Sequence, residues 1–148
     1  MNVFCLLLRC LLAGVFLYSG IVKAGASEQF ALALVPFSFV PTSWMGPLSL
    51  AIPLTEIAAG ILILLPSVHR MGSFLVALLC LVFIGVLVWA LSNDLVVACS
   101  CFGEDSSPPS REKMLAAIVR DALLLAAVLC TLLANRPQTS RESLKSHP

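Results

Sequence analysis

The sequence predicts an all-α integral membrane protein, a bundle of four transmembrane helices, and three observations carry that expectation. Of the 148 residues, 59% are hydrophobic and only 11% are charged; a soluble domain carries about 45–50% apolar and about 25% charged residues. Mean hydropathy is +1.01. The apolar residues also gather into four windows of about 20, each long enough to cross about 30 Å of hydrocarbon at about 1.5 Å per residue. These windows lack the alternation of barrel strands, and backbone polar groups in lipid must pair internally, so each reads as a helix. The composition excludes a disordered chain, a basic nucleic-acid binder and an ordinary soluble enzyme. The net charge of +1 offers no pull on an anionic partner. The length fits one membrane domain, residues 3–134, with no appended catalytic module.

The first span covers residues 3–22, with Arg9 as its only charge. Ala24-Gly25-Ala26 imitates a small-residue cleavage site. A secretory signal, however, puts positive charge before an uninterrupted apolar run; here no basic residue precedes the run and Arg9 breaks it, so a retained span is expected. Between residues 23 and 46, Glu28-Gln29-Phe30 leads an apolar stretch that reads as a short interfacial helix ending at Pro36. The second span, residues 47–65, contains Glu56. Residues 66–70 form a tight turn that makes an antiparallel hairpin with the third span, residues 71–91, which carries no charge. A polar loop, residues 92–113, holds Cys99-Ser100-Cys101-Phe102-Gly103. Pro108-Pro109, flanked by Ser107 and Ser110 and followed by Glu112, signals the start of the fourth span, residues 114–134, which contains Arg120 and Asp121. Residues 135–148 are a polar tail.

Basic residues near the span ends set orientation. Arg70, Arg136, Arg141 and Lys145 lie on the side of the termini, against Lys23, Arg111 and Lys113 on the other. That balance expects both termini in the cytoplasm and the cysteine loop outside. Tyr18, Trp44 and Trp89 fall near the outer interface and mark span ends.

A charge at the bilayer centre costs roughly 2.5–3.5 kcal/mol on insertion scales, so each needs a partner or a purpose. Counting rise from a common outer edge puts Arg9 about 20 Å deep, Glu56 about 15 Å, and Arg120 with Asp121 about 9–10 Å. The expectation is a polar chain from Arg9 through Glu56 to Arg120 and Asp121. Inward stripes are expected through Cys5, Arg9, Ala13, Gly20 and Lys23, through Pro53, Glu56 and Gly60, and through Ala116, Arg120, Ala127 and Cys130. A structural ion network, a substrate or proton site and a conduction path all fit this pattern.

Among the six cysteines, Cys5, Cys10, Cys80 and Cys130 lie within spans and read as small packing residues. Cys99 and Cys101 differ. Two apart in an extended segment, their side chains point the same way, and a bond between them closes a strained ring. Strained, exposed disulfides are the labile kind that pass their bond on. Glu104 and Asp105 disfavour the attacking thiolate, while Arg111 and Lys113 favour it. The loop contains no histidine and no third cysteine, too few ligands for a closed metal site. Redox work, a static loop disulfide and metal handling stay open on residues alone.

An arginine in the first helix, Ser19-Gly20-Ile21-Val22-Lys23 at its end, Pro53-Leu54-Thr55-Glu56 in the second, Cys99-Ser100-Cys101-Phe102-Gly103 before the fourth and Arg120-Asp121 within it recur in one order. In these the sequence resembles the methylamine-utilisation MauE family, within the DoxX-like group of small four-helix membrane proteins. The resemblance spans about residues 3–134, and its most specific element is the cysteine pair with Phe-Gly. The family's founding members mature a periplasmic methylamine dehydrogenase rich in disulfides, alongside a thioredoxin-like partner. The resemblance therefore implies Cys99 and Cys101 as a redox pair, and Arg9, Lys23, Glu56 and Arg120, with the neighbouring Asp121, as the polar core. It implies a bacterial inner-membrane component of thiol–disulfide oxidoreduction, with a thioredoxin-like periplasmic partner and a disulfide-containing client. No nucleotide or flavin motif is present; a quinone in the bilayer is the electron acceptor to consider. The rival readings are a non-catalytic assembly factor and a small transporter working through the intramembrane charges.

Overall fold

The structure, a computed structural model, describes residues 3–37, 40–97 and 110–134. Cys99 and Cys101, most of the loop that holds them and the tail from residue 135 lie outside the described residues. The described residues form five helices and no strand: α1 (Val3–Gly25), α2 (Ser27–Leu34), α3 (Thr42–Leu64), α4 (His69–Ser92) and α5 (Arg111–Ala134). Four of them, α1, α3, α4 and α5, are long and apolar enough to cross a membrane. The protein is thus an all-α bundle of four candidate spans, with α2 as an eight-residue addition.

Helix starts follow local chemistry. Ser110 accepts a hydrogen bond from the backbone N–H of Lys113 through its hydroxyl, at 3.3 Å, and Glu112 sits in the first turn of α5. Both satisfy the free N–H end of a helix. The second span departs most from expectation, since its helix begins at Thr42 rather than Pro47. Pro41 has extended backbone, φ −59° and ψ 141°, and leads straight into the helix, which then contains both Pro47 and Pro53. Proline removes one ladder bond, yet membrane helices tolerate it because neighbouring helices and hydroxyl side chains compensate. Ser49 donates to the Gly46 carbonyl at 2.8 Å, and Thr55 donates to that of Ala51 at 2.7 Å.

The four long helices form a ring in which α1 packs on α3, α3 on α4, α4 on α5, and α5 on α1. Close approach fixes the register of the antiparallel α1–α3 pair. A Cβ on Gly20 would stand 2.7 Å from Ile57 Cγ1 and 2.9 Å from the Pro53 carbonyl oxygen, and one on Gly60 would stand 2.9 Å from Leu17 Cγ. Only glycine allows the backbones so near. In this register the end of α1 reaches only about the middle of α3: Glu56 lies fourteen residues, or about 21 Å, from the start of α3, yet it packs beside Ser19 and Lys23. Beyond α1, α2 packs on α3 in its place.

Two apolar clusters result. One joins α1, α3, α4 and α5 through Leu12, Phe16, Ile63, Val76 and Val128. The other, at the end where α4 leads into α5, gathers Phe37, Leu87, Ala90, Val97, Met114 and Ala117. The outer surface stays apolar: Leu54, Phe74, Leu81 and Leu123 are all exposed, as lipid contact requires. Between the two clusters lies a polar layer.

Candidate functional site

The polar layer is assembled by side chains from four helices. In α1, Ser19 and Lys23 stand four residues apart on one face. Helical side chains lean toward their own N-terminus, so in an antiparallel pair Lys23 of α1 and Glu56 of α3 lean toward each other. Lys23 Nζ donates to Glu56 Oε1 at 2.5 Å, and Ser19 Oγ donates to Glu56 Oε2 at 3.1 Å. Two rings attend the same ammonium: its nitrogen is 4.4 Å from the centroid of Phe83 and 5.8 Å from that of Phe30. The ring faces add cation–π attraction to the ion pair. Lys23 thereby ties α2, α3 and α4 to the end of α1.

Asp121 of α5 faces inward, and the neighbouring Arg120 folds round to it. Arg120 donates to Asp121 Oδ1 from Nε at 3.0 Å and from Nη2 at 2.9 Å. The Asp121 side chain is 7% exposed and that of Arg120 28%. Both pairs border one cavity of about 20 Å³, whose wall includes Ser19, Lys23, Glu56, Cys80, Phe83, Arg120 and Asp121. Around it the charges sum to zero.

The sequence-predicted polar residues separate here. Lys23, Glu56, Arg120 and Asp121 come together. Arg9 does not join them: it is buried at 4% exposure, but ten residues, or about 15 Å, below Ser19 along α1. The expected Arg9–Glu56 contact is therefore replaced by Lys23–Glu56. The expectation counted both depths from one outer edge, whereas α1 ends far short of the start of α3. The stripes expected on α1 and α3 are buried as drawn. On α5 the expected stripe is wrong: Ala116 and Cys130 are exposed, and the buried face runs instead through Met114, Ala117, Asp121, Leu124, Val128 and Thr131. Arg120 and Asp121 are about 100° apart on the helix, and the rotation of α5 that buries Ala117, Leu124 and Val128 turns Asp121 inward.

Ser19, Cys80 and Phe83 were not anticipated as site residues. Ser19 had a signal, its four-residue step from Lys23. Cys80 and Phe83 had none, because α4 carries no charge beyond Arg70 in its first turn to mark a polar neighbourhood. Cys80 is a free thiol at 1% exposure in the cavity wall.

At the base of the cysteine loop the flanking residues meet. Arg111 Nη2 donates to Asp94 Oδ1 at 2.6 Å, and Val97 is buried against Met114 and its neighbours in the second cluster. Asp94 has φ 55°, a left-handed turn that aspartate tolerates. Val97 before the cysteines and Met114 after them are thus held in the bundle by burial.

A family model described as methylamine utilisation protein MauE matches residues 1–134. No curated protein and no solved structure matches the chain.

Proposed function

The chain belongs to the MauE family and is a membrane protein related to methylamine utilisation; from that premise we propose that it supports thiol–disulfide exchange during maturation of periplasmic proteins. The working pair is Cys99 and Cys101. The observation that carries this reading is their position: two thiols one residue apart, between Val97, buried in the bundle, and Arg111, bonded to Asp94. The residues that flank the pair sit at one end of the bundle, and a bond across so short a ring contributes little stability but transfers readily.

In the exchange, a thiolate of a thioredoxin-like partner attacks one sulfur of the Cys99–Cys101 disulfide. A mixed disulfide forms and the second cysteine leaves as thiolate. The partner's other thiol then closes its own disulfide and releases the reduced pair. Run in reverse, the same steps oxidise Cys99 and Cys101 and reduce the partner. Reoxidation of the dithiol gives up two electrons and two protons, and a quinone in the bilayer is the acceptor in this reading. In this reading the transfer takes place at the loop end, beside the cysteine pair. Localisation in the bacterial inner membrane, with both termini cytoplasmic and the loop periplasmic, completes the proposal. The transporter reading is weaker, because its path needed Arg9 beside Glu56.

The test is to replace each loop cysteine singly with serine and alkylate at harvest. One variant is expected to accumulate a mixed disulfide with a periplasmic protein, seen on a non-reducing gel and lost on reduction. If neither variant traps a partner and both support maturation fully, the pair is not the working centre, and a non-catalytic assembly role replaces it.

A further inference from the structure

The cavity between the two ion pairs has no part in the loop chemistry, yet it is built with four charges, a hydroxyl and a thiol. Its space, about 20 Å³, exceeds the roughly 10–15 Å³ that one water needs, and a buried water also needs two to four polar partners. Lys23 and Arg120 offer donors, and Glu56, Asp121 and the Ser19 oxygen, whose one proton goes to Glu56, offer acceptors. Lys23 and Arg120 balance Glu56 and Asp121, so a further ion would leave net charge in hydrocarbon, whereas a neutral dipole leaves none. Access is one-sided. Lys23, Glu56 and Cys80 are each 1% exposed, while the Arg120 side chain is 28% exposed. Arg120 stands on α5, and the wall also includes Val15 and Phe16 of α1 and Leu124 of α5.

We propose that this cavity is a hydrated site for a small neutral hydrogen-bonding molecule, with water as its resident. The molecule bridges the Lys23–Glu56 pair to the Arg120–Asp121 pair and exchanges through the seam between α1 and α5. The proposal does not depend on the loop cysteines. It makes the two ion pairs a single polar unit that responds to whatever fills the space between them.

Cys80 is the built-in reporter. In full-length protein whose other cysteines are replaced by serine, held in lipid nanodiscs, the probe is methyl methanethiosulfonate, small and neutral. The thiolate attacks the reagent's thiol sulfur, a methyl disulfide forms and methanesulfinate leaves. Only a hydrated thiol ionises readily enough to react. The control is Val128→Cys in a Cys80→Ala background, because Val128 is 0% exposed in the same apolar cluster as Cys80 but, unlike Cys80, does not line the cavity. Cys80 is expected to react at least about tenfold faster than the control, and the charged ethylammonium reagent is expected to stay at the control rate. Leu124→Phe, which narrows the cavity, should slow the Cys80 reaction; if that variant does not fold, the comparison of Cys80 with the control cysteine decides. Equal rates for the two cysteines would overturn hydration, and equal rates for the charged and neutral reagents at Cys80 would overturn the neutral-occupant assignment.

Discussion

Lys23 and Glu56 carry opposite charges 2.5 Å apart inside an apolar bundle, and the energetics of such a pair are lopsided. Removing one partner strands a buried charge, at about 3–5 kcal/mol, while replacing both by apolar residues of similar volume is often neutral. Glu56→Gln is therefore expected to lower the thermal midpoint in detergent and the amount of protein in membranes. The double change Lys23→Met with Glu56→Met should recover most of that loss. Arg9→Gln should simply add to Glu56→Gln, because about 15 Å of helix separates Arg9 from the site and distant residues do not couple. A clear non-additive term between Arg9 and Glu56 would contradict the register of α1 on α3.

Single helices show how the site is held in place. At Gly20 an added methyl meets Ile57 and the Pro53 carbonyl, so Gly20→Ala is expected to cost about 1–3 kcal/mol through overpacking. Gly14, on the same helix, has nothing within 4 Å of an added Cβ, and Gly14→Ala should leave the unfolding temperature unchanged or raise it slightly. The helix ends at the loop base tell a similar story about which force dominates. Asp94 and Arg111 are largely exposed, so Arg111→Ala is expected to cost less than about 1 kcal/mol and to matter less still in high salt. Met114 is buried at 1% exposure, and Met114→Ala is expected to cost about 2–5 kcal/mol. Thermal unfolding of the two variants side by side checks that burial, not the ion pair, anchors the loop.

At the scale of the whole molecule, the α1–α2 break shapes the interior. Were α1 slid along α3 toward its start, Lys23 would be carried away from Glu56. Ending α1 near mid-bundle and filling the rest with α2 brings Lys23 down to Glu56 and leaves room for the polar layer between two dry clusters. The arrangement also puts the start of α1, the turn between α3 and α4 and the end of α5 at one end of the bundle, and the end of α4 and the start of α5, which flank the cysteine loop in sequence, at the other. With Ser106→Cys as the sole cysteine, a membrane-impermeant maleimide is expected to label intact spheroplasts. Labelling only after lysis would invert the orientation and remove the oxidising compartment that the proposed chemistry requires.

Spans, turns and buried charges were legible in the sequence because each follows from one-dimensional quantities. Hydrocarbon thickness sets the length of an apolar run, prolines and serines punctuate it, and a charge inside it is costly wherever it points. The inward faces of α1 and α3 were legible for the same reason: small residues and charges recur there at helical spacing. Pairing was not. Whether Glu56 meets Arg9 or Lys23 depends on how far α1 slides along α3, which Gly20 and Gly60 decide by close contact. Whether Arg120 or its neighbour Asp121 turns inward depends on the rotation of α5, set by Leu124 and Val128 in the core. Cys80 and Phe83 enter the cavity wall only because α4 packs beside those charges. Sequence by itself determined which groups lay in apolar segments and so had to be accommodated. The tertiary structure alone decided which of them touch, because the offset and rotation of rigid helices are fixed by packing between segments that the chain order does not juxtapose.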